Sequence, residues 1–551
     1  MNPLVFTKWA GRVFTVLAAI TSILFAVGCG SGNGFTKTNP VGFSNSSLSG
    51  TYVLSISGTD VNVSANTASF FAIVGTISAD GKGNIQGGTV DINDADLGGT
   101  GVFVAQALSP STYTIGADGR GTGTLVTPVG KFGVDFVLSS NSHGLISRFD
   151  AAGSGSGTLD LQGSASQSAL GSLAFSLSGV DSSGNSVGTV GGFTLNSSGT
   201  ITSGSGLQDL NDNGSSAGLT ALPLTGSVVL GPGGTSGIAL LTNSSASFGS
   251  LGFDVWVIDS AHLKFIETDT AITGNALAGD AFTQQTSFPA GQLVFTLGGL
   301  DSTLNNPLAV GGFVTTDANG TLSNGTEDYN DAVNANTVTN VSGSCSAPAP
   351  FPSGRCQLSL KGFSNGALQS FIFAAYPSSG GIQLLEIDSL GLMQGAAYSQ
   401  TATSLAASEG YGLNLSGANF DPTFNSYFEV DNIAQFNASS PTSTPNLIGV
   451  LDENDLALQL VSATLSGTYM PDSPATGRGS ITVPSINTFI RTLNLEYYVV
   501  DGSTVLFIEG DANQVALGTF GLQSPSSAAA VRPVVSMIRR AGGEHAALRR
   551  K

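Results

Sequence analysis

Thr51–Gly58 reads TYVLSISG, with Leu54 and Ile56 on one side of the chain and Ser55 and Ser57 on the other. Alternation with a period of two marks a half-buried β-strand. The strand returns as LAFSLSG at Leu173–Gly179, LVFTLGG at Leu293–Gly299 and YGLNLSG at Tyr411–Gly417, with closing glycines 121, 120 and 118 residues apart. Three more markers recur in the same order. Asp-x-Asn-Asp stands at Asp91–Asp94, Asp209–Asp212, Asp328–Asp331 and Asp452–Asp455. An apolar strand closes on Asp150, Asp269, Asp388 and Asp511, and a glutamine ends each unit at Gln162, Gln284, Gln400 and Gln523. Self-similarity at a fixed period means tandem domains. The repeats span 48–162, 168–285, 288–400 and 408–523.

The first repeat parses into eight short strands, near Ser49–Ser57, Ser69–Ala79, Asn84–Asp91, Ser111–Ile115, Gly121–Thr127, Lys131–Leu138, Gly144–Asp150 and Ser156–Gln162. Asp80–Gly83 and Asp118–Gly121 between them supply tight hairpin turns, as do Asn196–Gly199 and Asp317–Gly320 in later repeats. No stretch of the body has helical periodicity, so the class is all-β. Eight meandering strands fit a closed barrel, which removes exposed edges, or a two-sheet sandwich. Gly50-Thr51-Tyr52 and the run of hairpins resemble lipocalin and avidin barrels, and the resemblance implies four tandem antiparallel β-barrels. Repeat four has longer loops at Asp421–Phe428 and Asn437–Pro445.

The N-terminus reads as an export signal, with Lys8 and Arg12 ahead of the apolar run Val13–Val27. That run is short for a membrane span, which needs about 20 residues. It ends in Ala26-Val27-Gly28-Cys29, which resembles the lipobox of bacterial lipoproteins. The resemblance implies a signal peptide over 1–29, lipid on Cys29 and a membrane partner reached through that lipid. An ordinary secretory signal is the alternative. Gly30 in place of aspartate, by the sorting rule of Gram-negative lipoproteins, implies the outer membrane or cell surface. Residues 30–47, rich in Gly, Ser and Asn, read as a flexible tether. The whole chain resembles the repetitive lipoproteins of unknown function found in soil bacteria such as acidobacteria, which implies a place in the cell envelope and brings no activity with it.

Charged residues are only 10% of the chain, so Ser, Thr and Asn must supply the polar surface. Between Gly30 and Gln523 stand ten basic residues against 36 acidic ones, a net charge near −26. Such a body repels nucleic acid. Residues 524–551 hold Arg532, Arg539, Arg540, Arg549, Arg550 and Lys551 and read as a solvated basic tail. Cys345 and Cys356 are expected to pair in an oxidising compartment, contributing about 2–3 kcal/mol.

Candidate chemistry is sparse. Gly362–Gly366 (GFSNG) has the Gly-x-Ser-x-Gly pattern but sits where a hairpin is expected. The histidines are His143, His262 and His545; the first two occupy equivalent turns. Asp209, Asn211 and Asn213 match the first half of a calcium loop, but the twelfth position is Thr220, and turn formation explains the run without an ion. Glu267/Asp269, Glu386/Asp388 and Glu509/Asp511 put carboxyls on one strand face and read as solvated or salt-bridged strand ends. Arg120, Arg355 and Arg478 sit in equivalent hairpins with carboxylates as candidate partners, although repeat two has Glu267 and no such arginine. Trp256 reads as core packing rather than a sugar platform. No catalytic residues are assigned and no cofactor is required. The expectation is a non-enzymatic envelope protein with a structural, adhesive or surface-interaction role. The alternative is a module holding a small apolar ligand or glycan in its barrels.

Overall fold

The computed structural model describes residues 42–525, apart from 63–66, 95–96, 98–100, 270–274, 302, 305, 347–353, 362–368, 408, 424, 457, 485–491 and 513. The expected signal peptide with Cys29, the Gly362–Gly366 motif, His545 and the tail beyond residue 525 lie outside the described residues.

Each repeat closes on itself. The first strand of barrel 1, Ser49–Asn62, pairs with Thr67–Asp80 on one side and with the last strand, Gly153–Leu161, on the other. The same first-to-last pairing joins Ser172–Val180 to Ala276–Thr283, Gly291–Leu300 to Leu392–Ser399, and Glu409–Asp421 to Gln514–Leu522. The result is four eight-stranded antiparallel up-and-down barrels in tandem, and not sandwiches. In barrel 1 the fourth stave is broken into Val102–Ala107 and Ser111–Ile115, both paired with Asn84–Asp94. The first piece, VFVAQA, lies mostly half-buried or exposed and lacks the in–out alternation that reveals a strand.

The recurring glycine is what lets first and last strands meet. A Cβ on Gly179 or Gly299 would run into the carbonyl oxygen of Ala276 or Leu392 on the eighth strand, and Gly58 and Gly417 are blocked in the same way by Ser154 and Val515. Alternation fills the interiors: Tyr52, Leu54 and Ile56 point into barrel 1, and Phe175, Phe193, Phe253 and Phe265 pack inside barrel 2. In barrel 4, Tyr411, Phe436 and Phe520 form a triangle of rings 5.2–5.5 Å apart.

Residues 42–47, expected to be tether, belong to barrel 1. Phe43 and Leu48 are buried in its core, and Tyr113 Oη donates to the carbonyl oxygens of Asn45 and Leu48. Cys345 and Cys356 form the expected disulfide, tying the fourth strand of barrel 3 to its fifth.

Candidate functional site

The Asp-x-Asn-Asp marker lies on the third strand of every barrel: Asn84–Asp94, Gly206–Asp212, Thr321–Asn330 and Leu447–Asp455. In barrel 2, Leu210 points into the core, so Asp209 and Asn211 on either side of it point out. Both are nevertheless fully buried, because barrel 3 covers them. Asp209 receives Arg355 Nε at 2.7 Å and Nη2 at 2.8 Å, a bidentate pair, together with Tyr376 Oη at 2.6 Å. Asn211 Nδ2 donates to the carbonyl oxygens of Glu386 and Gly391, at the turn joining the seventh and eighth strands of barrel 3.

The arrangement recurs at each junction. Asp328 of barrel 3 holds Arg478 and Tyr498 of barrel 4, and Asn330 Nδ2 reaches the carbonyls of Glu509, Asp511 and Gln514. Asp91 of barrel 1 accepts Trp256 Nε1 at 2.8 Å, and Asn93 Nδ2 reaches the carbonyls of Glu267 and Asn275. Asp452 of barrel 4 has no barrel after it, yet it accepts Arg120 Nη1 of barrel 1 at 2.5 Å. Asn454 Nδ2 caps the carbonyls of Arg148, Asp150 and Gly153. Barrel 4 therefore docks on barrel 1 as each barrel docks on the next, and the four form a closed ring.

The terminal glutamines follow the same rule. Gln162 Nε2 donates to Thr235 O in barrel 2, Gln400 to Thr476 O and Val499 O in barrel 4, and Gln523 to Asp118 O and Leu138 O in barrel 1. Apolar contacts back the polar ones. Val190 of barrel 2 packs with Tyr376, Leu385 and Leu392, Val74 of barrel 1 with Ile266 and Trp256, and Ile433 of barrel 4 with Val137 and Leu145. The site that the repeats preserve is thus the joint. Set against known protein families and curated proteins, the chain matches none.

The joints and barrel ends also hold the perturbed acids. On the sixth strands, burial raises Asp135 to about 7, with Asp452 across the joint adding to it. Burial likewise raises Glu496 to about 7, against the opposing pull of Arg478. Of the carboxyl pairs expected at solvated strand ends, the glutamates are instead inside the barrels, while Asp269, Asp388 and Asp511 are half-buried just past the strands. Glu267 pairs across the sheet with the core residue Phe253 and points inward; burial, then the charge of Asp269, raises it to about 8. Glu386 and Glu509 are raised well above the ordinary range for the same first reason. In barrel 1 the place is taken by Arg148, between Asp60 at 2.5 Å and Asp150 at 3.1 Å.

Trp256, expected in a barrel core, stands outside its own barrel and in the joint. Of the calcium candidates, Asp209 and Asn211 engage barrel 3, while Asn213 sits in the following turn with φ of 49°. Among the described residues no group of three or more His, Cys, Asp or Glu is gathered for a metal ion. His143 and His262 contact Asp160 at 2.6 Å and Asp280 at 2.5 Å. Burial alone would raise Asp280, but Lys264 and His262 outweigh it and hold it down to about 2.

Proposed function

We propose that this chain is a non-enzymatic, lipid-anchored envelope protein whose four-barrel ring is a rigid structural or adhesive unit. The observation that carries this reading is the use of the repeated polar residues. Asp209, Asn211, Gln400 and their equivalents bind neighbouring barrels rather than a ligand. Filled barrels agree with it: the cavity inside barrel 4 is about 20 Å³, room for one water and not for a lipocalin-type ligand.

The first and last described stretches of chain meet on one hairpin of barrel 1. Gly42 N and Phe43 N donate to Ala117 O, and Gln523 Nε2 donates to Asp118 O of the same hairpin. Envelope placement is tested with Cys29→Ser: the wild-type chain should sediment with membranes and carry acyl mass, and the variant should be soluble. Equal partition of both would reject the anchor.

The second reading, a binder of small apolar molecules, has one observation of its own. Asn432 is fully buried among Leu413, Leu415, Phe436 and Leu451 of that cavity, and neither amide atom has a hydrogen-bond partner among the described residues. Native mass spectrometry separates the readings: a bare mass supports the scaffold, and a stoichiometric small molecule supports the binder.

A further inference from the structure

One joint lacks an arginine. Strand register places Arg120 opposite Val137 and Arg478 opposite Tyr498, while Ser236 stands opposite Trp256. Arg355 directly precedes Cys356, which lies opposite Ala375, the neighbour of Tyr376. Ser236 therefore occupies in barrel 2 the position that arginine occupies in the other three.

Asp91, the carboxylate facing that position from barrel 1, is only 1% exposed. Its other partners are neutral donors, Trp256 Nε1 at 2.8 Å and the Ala105 amide at 2.7 Å. Hydrogen bonds from neutral groups leave a buried charge uncompensated. The remaining partner is Asp254, two residues before Trp256 on the same strand face, whose carboxyl hydrogen-bonds Asp91. Two carboxyls bond to one another only when one of them carries a proton.

We propose that the joint between barrels 1 and 2 is a pH-sensitive clasp, in which a proton shared by Asp254 and Asp91 replaces the missing arginine and its loss loosens the joint.

Burial, reinforced by the charge of Asp91, raises Asp254 to about 6. A raised acid stabilises the native joint below the ordinary aspartate range, and that contribution is lost as pH climbs to about 6. Above it, two carboxylates face each other. The equivalent strand positions hold Asp135 beside Arg120, Glu496 beside Arg478, and Ala374, so among the described residues this is the joint whose carboxyl pair has no arginine beside it. The other charged groups packed around it are His143 with Asp160, and His262 and Lys264 with Asp280. Glu267 lies inside barrel 2.

Trp256 reports on this joint directly, and the chain's other tryptophan is Trp9. In full-length protein carrying Trp9→Phe, emission should shift to the red between pH 5 and pH 8 with a midpoint near 6. Asp254→Asn offers Asp91 a permanent amide donor and should abolish the shift, leaving the histidine pairs in place. Ser236→Arg supplies the charge found at the other joints and should abolish it too, which decides the matter if the first variant fails to fold. Emission that is flat across this range in the parent protein, or a shift that persists in both variants, overturns the proposal.

Discussion

At the scale of single residues, the joints rest on polar groups sealed from water, so removing one partner strands the other. Arg355→Met leaves the buried Asp209 with Tyr376 and a backbone amide but no cation. The expected cost is about 3–5 kcal/mol in urea denaturation, and Asp209→Asn on top of it should recover much of the loss. Asn330→Ala orphans three carbonyls on barrel 4 and should cost about 1–3 kcal/mol. The inward acids make a separate prediction. Glu267 keeps its proton to about pH 8 in the folded state, whereas an unfolded glutamate releases it near 4. Stability from this site is therefore complete below that lower value and lost as pH rises to about 8. Glu267→Gln should match the parent's melting temperature near pH 4 and exceed it at pH 8.5, the gap widening between.

At the scale of strands, closure depends on a few tight approaches. Gly179→Ala puts a Cβ into the Ala276 carbonyl and should cost well over the ~1 kcal/mol scale of an unstrained Gly→Ala change, read from the urea midpoint. Reducing Cys345–Cys356 should cost about 2–3 kcal/mol, with hydrogen exchange rising in Ala335–Ser346 and Cys356–Lys361. The strands themselves were legible because alternation and Asp-Gly turns are local signals. Val102–Ala107 was not, since it lacks alternation. The joints escaped for a different reason. Arg355 and Asp209 are 146 residues apart, and the aspartate is invariant across the repeats, so nothing in it varies with the arginine. Arg120, Arg355 and Arg478 pair with the aspartate of the preceding barrel around the ring, not with the glutamate of their own. Trp256 was misplaced similarly, because burial in a joint leaves the same apolar mark as burial in a core.

At the scale of the whole molecule, three joints are bridged by the chain and the fourth, between barrels 4 and 1, is not. The residue after each closing glutamine shows the equivalence: Gly163 N donates to Ile258 O, Gln285 N to Pro377 O, Thr401 N to Val500 O, and Ser524 N to Ser139 O of barrel 1. Joining residue 525 to residue 42 with a short linker and opening the chain between barrels 2 and 3 should give a permutant that folds. Its melting temperature should lie within a few degrees of the parent's, since the same four joints form. Aggregation or a partly unfolded pair of barrels would show that the unlinked joint is not equivalent to the rest.

The joint also has a bearing on ancestry. Every barrel carries both halves of it, one face on its first three strands and the complementary face on its fifth to eighth strands, and the geometry returns to its start after four steps. A lone barrel of this kind would be a self-limiting homotetramer, its assembly governed by concentration. Fusing four copies into one gene removes that dependence on concentration. It also frees each copy to differ alone: Ser236 stands opposite Trp256 where the other barrels place an arginine, a difference that a symmetric tetramer would carry at all four joints.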